Sequence, residues 1–283
     1  MATAALISLV VAMLSFQVGA SVAKQLIPLV GAPGTTALRL GISALVMVVA
    51  RRPWRSLPSR AAVPVLVAYG LSLGTMNFVF YQSLRTIPLG IAVGLEFTGP
   101  LAVALLGSRH RMDYLWVALA VLGLACLLPV TRASAHLDPS GVAYALAAGV
   151  CWALYIVFGK KAGHTHGAEA STWGMLIAAA AIVPIGVADA GRALLTADVL
   201  PRGFAVAMLS SALPYSLEMV ALRRLSTKTY GTLMSVEPAI AALAGLLLLG
   251  EHLALLQWVG IGAVMVASVG TLGDEPSVTE QMP

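Results

Sequence analysis

The chain has 283 residues, of which 59% are hydrophobic and only 10% charged; its mean hydropathy is +0.91. A water-soluble domain carries roughly a quarter charged residues, so too little polar surface exists here to cover a soluble globule, and the chain needs lipid as its solvent. The net charge of +5 is spread over so few ionisable groups that it reads as a membrane-topology signal, which excludes a nucleic-acid partner.

A hydrocarbon core of about 30 Å needs about 20 apolar residues per helical crossing. Ten stretches meet that requirement: 4–24, 34–50, 62–82, 88–107, 114–130, 140–159, 171–189, 203–222, 230–249 and 254–272. Ala239–Gly250 and Leu115–Val130 are apolar on every face, whereas barrel strands alternate with period two. The expected fold class is therefore an all-α membrane protein with ten transmembrane helices. Ser21-Val22-Ala23 before Lys24 resembles a signal-peptide cleavage site, but residues 1–23 carry no Lys or Arg. The first stretch is read as a membrane helix instead.

Basic residues orient the spans. With the N-terminus in the cytoplasm, the cytoplasmic loops hold Arg51, Arg52, Arg55, Arg60, Arg109, Arg111, Lys160, Lys161, Arg223, Arg224 and Lys228. The periplasmic loops hold only Arg85, Arg132, Arg192 and Arg202. Eleven against four places both termini in the cytoplasm.

Ionisable groups inside a membrane are expensive and each needs a reason. Lys24 ends the first span and is expected to snorkel to the interface. Arg39, six residues into the second span, either binds a substrate carboxylate bidentately or snorkels or pairs structurally, and the second pair of readings is favoured. Asn77 and Tyr81 on the third span are candidate substrate ligands or polar glue between helices. Glu96 lies near mid-depth in the fourth span, followed by Thr98-Gly99-Pro100. Pro100 removes a helical hydrogen bond and frees the carbonyl of Glu96, and the carboxylate suits both a substrate ammonium and proton exchange. Cys126 and Cys151 read as inert packing residues. His164 and His166, placed on an exposed loop, read as solvated and not as a metal site. In the eighth span Pro214 is a candidate kink, Tyr215 a candidate ligand, and Glu218 a proton-coupling group or a partner of Arg223 or Arg224. Glu237 and Pro238 repeat the acid–proline theme in the ninth span, as a ligand or coupling group beside a kink.

The chain also looks duplicated. Ser83-Leu84-Arg85 through Pro100 aligns without gaps on Ala221-Leu222-Arg223 through Pro238. Glu96 then aligns with Met234 and Asn77 with Tyr215, while Phe16 matches Trp152 and Lys24 matches Lys160. Five spans per copy is an odd number, so the copies are inverted relative to one another, the pattern of alternating-access transporters with a site at the midplane between halves. No phosphate-cradling loop, His-Glu-x-x-His or nucleophile elbow is present. An enzyme, an ATP site and a bound cofactor are therefore not expected.

The run Asn77-Phe-Val-Phe-Tyr-Gln-Ser-Leu-Arg-Thr-Ile-Pro through Glu96-Phe-Thr-Gly-Pro100, with Leu213-Pro-Tyr-Ser-Leu-Glu-Met219 and Gly231-Thr-Leu-Met-Ser-Val-Glu-Pro238, resembles the threonine and homoserine exporters. These belong to the EamA branch of the drug/metabolite transporter superfamily. The resemblance implies two inverted five-helix repeats, residues 1–134 and 135–272, with a cytoplasmic tail at 273–283. It also implies a bacterial inner-membrane location, and export of an amino acid from the cytoplasm in exchange for protons. It leaves the substrate open, so efflux of other metabolites or toxic small molecules is the alternative, with a non-transporting membrane protein behind it. A homodimer is compatible with the sequence and not required by it.

Overall fold

The computed structural model describes residues 2–107, 113–127, 137–166, 169–214, 217 and 233–273, and every regular element among them is helical. The chain opens with α1 (Ala2–Arg51), a single run interrupted only at Gly31, where φ is 68° and ψ 169°. That conformation is open to glycine and strained for other residues. Around it the helix folds back on itself. Ser15 and Arg39 would stand roughly 36 Å apart on a straight helix, yet they bond to the neighbouring carbonyls of Leu209 and Ser210. The two stretches expected at 4–24 and 34–50 are thus two arms joined by one glycine, with no loop between them.

After a 3₁₀ turn at Pro53–Arg55 come α2 (Val63–Ser83), α3 (Leu89–Glu96), α4 (Thr98–Gly107) and α5 (Asp113–Leu127). The second part contains α6 (Pro139–His166), α7 (Ala170–Ala190), α8 (Val199–Ala207) with a π turn at Met208–Ala212, then α9 (Glu237–Leu249) and α10 (Leu255–Gly273). Ser140 donates its N–H and hydroxyl to Asp138 at the start of α6, and these bonds hold the Asp138 carboxyl below the usual carboxylate range. His164 and His166 fall in the last turn of α6, where a loop was expected.

Among the described residues, four helical stretches are long and apolar enough to cross a membrane: Ala5–Arg51, Val63–Ser83, Pro139–His166 and Ala170–Leu195. Five shorter apolar helices accompany them. Large apolar side chains face outward, Leu247 at 77% and Leu255 at 81% exposure, as a lipid-facing surface demands. Inside, α2 packs on α6 and α7, the arms of α1 on α7 and α8, α5 on α10, and α3 on α9. Buried hydroxyls of Ser21, Thr35, Thr36 and Ser72 turn back to carbonyls one turn earlier in their own helices. That satisfies them where no water can.

Two prolines expected as kinks lie where the regular helical ladder is interrupted, while the backbone at Phe97 (φ −64°, ψ −14°) and Val236 (φ −81°, ψ −11°) stays in the right-handed helical region. The 88–107 stretch is broken at Phe97, and Pro100 sits in the first turn of α4. The 230–249 stretch passes through a turn at Ser235 and Val236, and Pro238 is the second residue of α9. Neither proline can donate an N–H to the carbonyl four residues earlier, and the ladder is interrupted at these points. Glu96 thereby becomes the last residue of α3 and Glu237 the first residue of α9.

Close to this break α4 crosses α6 backbone to backbone. A Cβ on Gly99 would fall on the Gly149 carbonyl, and one on Gly149 would lie 2.9 Å from the Glu96 carbonyl oxygen. Gly99→Ala is expected to destabilise the protein by roughly 1–3 kcal/mol through overpacking, measured as the unfolding midpoint in detergent. Gly163→Ala, where nothing lies within 4 Å, should leave the midpoint unchanged or raised; equal effects of the two would refute this account of the crossing.

Candidate functional site

Arg39, on the second arm of α1, points into the bundle and lines a cavity. Its Nη1 donates to the Tyr81 hydroxyl and its Nη2 to the Ser210 carbonyl, each at 3.1 Å. The guanidinium stands 5.6 Å from the centre of the Tyr81 ring, within cation–π range. The carbonyl it uses is made available by the π turn. Leu213 N–H reaches back five residues to the Met208 carbonyl. The next donor in that ladder would be Pro214, which has none. Leu209 O accepts the Ser15 hydroxyl at 2.7 Å instead, and Ser210 O accepts Arg39. Pro214 therefore serves as a missing donor as much as a bend.

Arg39, Glu96, Glu237, Asn77 and Gln17 line one cavity of ≈ 240 Å³. The rest of its wall is aromatic or apolar, including Phe16, Phe80, Trp152, Tyr155, Met76 and Met234. Both acids are buried, and Glu96 interacts electrostatically with Glu237 and with Arg39. Glu237 Oε1 accepts from Gln17 Nε2 at 3.1 Å. Asn77 donates to the Leu73 carbonyl at 2.8 Å, within its own helix. Trp152 meets Phe97 edge-on, ring centres 5.7 Å apart, so the residue at the α3–α4 break packs against the cavity wall. An acceptor for a cation and a donor for an anion thus share one small chamber.

Of the residues singled out in the sequence, Glu96, Glu237, Asn77 and Arg39 are brought together. Tyr81 is fully buried and supports Arg39 without itself lining the cavity. Tyr215 and Glu218 lie outside the described residues. Gln17, inside the apolar run of the first span, went unnoticed; a lone amide in a membrane helix is the signal that marks it.

Lys24 is paired. Its Nζ lies 2.7 Å from Glu251 Oε1 and donates to the Ile87 carbonyl at 2.6 Å. Glu251 Oε2 accepts from Leu89 N–H at 2.7 Å. One ion pair, only 21% and 13% exposed, thus joins the first arm of α1, the α2–α3 connection and the segment after α9. Glu251 escaped sequence reasoning because it sits in a loop 227 positions from its partner in the chain.

A helical bundle with an apolar outer surface around a small charged cavity defines an integral membrane transport protein. The EamA-like transporter family matches residues 139–273. The threonine/homoserine exporter RhtA of Escherichia coli (strain K12) is 54% identical over 266 residues, covering 94% of this chain and 90% of the relative. RhtA of Salmonella typhimurium (strain LT2) is 54% identical over 275 residues, covering 96% and 93%. The uncharacterized inner membrane transporter YedA of E. coli (strain K12) is 27% identical over 225 residues, covering 77% and 71%. A protein crystal structure shares the fold with a TM-score of 0.57 at 17% identity, over 95% of this chain and 96% of that one. The chain belongs to the EamA-like transporter family, a family of transporters and not of enzymes.

Lys24→Met strands a buried carboxylate and is expected to lower stability by roughly 3 kcal/mol. Adding Glu251→Leu should recover part of that loss, because it removes the uncompensated charge. A double variant whose loss equals the sum of the two single losses would show that the pair is not coupled.

Proposed function

We propose that this chain exports small amino acids such as threonine and homoserine across the inner membrane by alternating access, coupled to proton entry. The observation that carries this reading is the cavity wall, where one guanidinium, two carboxylates and the amides of Gln17 and Asn77 face a chamber whose remaining wall is apolar and aromatic. A zwitterion needs an acceptor for its ammonium and donors for its carboxylate. Glu96 takes the first role and Arg39 the second, its fork held by Tyr81 and Ser210. Tyr81 contributes to binding through Arg39, and Asn77 and Glu237 complete the polar wall. The chamber's ≈ 240 Å³ falls below the roughly 300–1,000 Å³ of sites that hold drug-sized ligands, which favours an amino acid over a bulky toxic compound. The relatives named as threonine/homoserine exporters, at 54% identity, favour the same substrates.

Two carboxylates facing one ammonium leave one negative charge in excess, and in a dry chamber a proton is its natural counter-charge. Substrate binding from the cytoplasm displaces that proton, and a proton arriving from outside releases the substrate. Glu96 and Glu237 are the proposed carriers, with Glu218 and Tyr215 retained on sequence grounds alone. The proposed topology has ten passes in two inverted halves, residues 1–134 and 135–272, with both termini and the 273–283 tail in the cytoplasm. Its support is that repeat partners Phe16 and Trp152, and likewise Glu96 and Met234, line the same cavity, as a site between inverted repeats requires.

The test is efflux of labelled threonine and homoserine from preloaded cells with the protein expressed or absent. Faster loss that disappears when the proton gradient is collapsed is the expected result. Glu96→Gln, inserted at the normal level, should slow efflux roughly tenfold or more, since it removes a charge-assisted contact. Wild-type flux in that variant would remove Glu96 from its role, and no difference between expressing and empty cells would reject the substrate.

A further inference from the structure

Gln17 sits on the first arm of α1 and is only 3% exposed, yet it is part of the cavity wall. The two ends of its amide are in different situations. Nε2 donates to Glu237 Oε1 at 3.1 Å. With Glu237 ionised this bond fixes the orientation of the amide, because the reverse would set its carbonyl against a carboxylate. Oε1 is then completely buried and has no donor among the described residues. A buried acceptor without a donor is unfavourable and calls for an explanation. The nearby donors point elsewhere: Asn77 Nδ2 to Leu73, and Arg39 Nη1 and Nη2 to Tyr81 and Ser210. Glu96 and Glu237, also on the wall, accept when ionised.

We propose that Gln17 reads the side-chain hydroxyl of the substrate, its Oε1 accepting the hydroxyl hydrogen of an amino acid held by Glu96 and Arg39. This rests on the amino-acid export reading above and adds the basis of its selectivity. The ammonium is matched by a carboxylate and the carboxylate by a guanidinium. The third functional group of a hydroxy-amino acid is a neutral O–H, and a neutral carbonyl acceptor suits it. Such a group also discriminates. A site built to bond a hydroxyl rejects the analogue that lacks it, because its own acceptor stays unpaired. The relevant analogue is 2-aminobutyrate, which is both threonine and homoserine with the oxygen removed. Glu237 enters as a positioning residue, since it holds the amide by its nitrogen.

The experiment is competition against labelled threonine uptake into inside-out membrane vesicles by unlabelled threonine, homoserine and 2-aminobutyrate. In the wild type 2-aminobutyrate should compete roughly tenfold or more weakly than threonine or homoserine. In Gln17→Leu the ratio should fall towards one because the two hydroxy-amino acids bind more weakly, while 2-aminobutyrate is little changed. Where a variant is too slow to assay, the same ratio is read by titrating the purified protein and following tryptophan fluorescence, with Trp152 in the cavity wall. Gln17→Met serves there as the second variant. A wild-type ratio near one, or an unchanged ratio in the Gln17 variants, overturns the assignment. Loss of the ratio in Asn77→Leu but not in Gln17→Leu also overturns it and gives the hydroxyl to Asn77. Vesicles that take up no threonine at all would reject amino-acid export itself, and with it this role for Gln17; threonine uptake with an unchanged ratio rejects only the latter.

Discussion

A guanidinium inside an apolar bundle has to be given acceptors, and the acceptors given to Arg39 fix the positions of three parts of the fold. The second arm of α1 supplies the charge, α2 supplies the Tyr81 hydroxyl, and the turn after α8 supplies a carbonyl. Each contact depends on a local departure from regular structure. The arms of α1 reach the same turn only because Gly31 reverses the chain. The turn has carbonyls to offer because a π segment runs into Pro214. With its charge and hydrogen bonds provided for by the protein, Arg39 can stand on a cavity wall without drawing the lipid or bulk water inward.

The acids reach the cavity by a related device. Glu96 ends one helix and Glu237 begins another, so each stands at a chain break where backbone groups leave the regular ladder. In lipid such breaks persist only where they are enclosed by protein or border a polar space. The Phe97 break is enclosed by close crossing of Gly99 over Gly149 and by the Phe97–Trp152 contact. The Lys24–Glu251 pair sits apart from this group and ties together a helix and two connections. A chain with so few charges has placed these at helix breaks, at connections, or against one another.

Hydropathy alone made much of this architecture legible, because lipid imposes one rule on every span: apolar outside and helical throughout. The acids were legible for the same reason, since Glu96 and Glu237 stand out in runs that are otherwise apolar. The bonding of long basic side chains was not legible. Lys24 and Arg39 lie near span ends, where snorkelling and inward pairing fit the local sequence equally well. Only the positions of Glu251, Tyr81 and Ser210, distant in the chain, separate the two. The polar group of Gln17 was hidden by its apolar neighbours for a similar reason, as its partner Glu237 lies 220 residues away.

Composition, spacing and the placement of prolines therefore determined by themselves that the chain is a helical membrane protein with acids at proline-marked positions. Those properties follow from solvent and backbone chemistry acting over a few residues at a time. Tertiary structure decided what those groups do: that Pro214 withholds a donor, that a single glycine turns the first helix back, and that Arg39, Glu96, Glu237 and Gln17 share one chamber. Such outcomes depend on which distant carbonyl or carboxylate is within about 3 Å of a buried polar atom. Local sequence does not encode that distance; the packing of the whole bundle does.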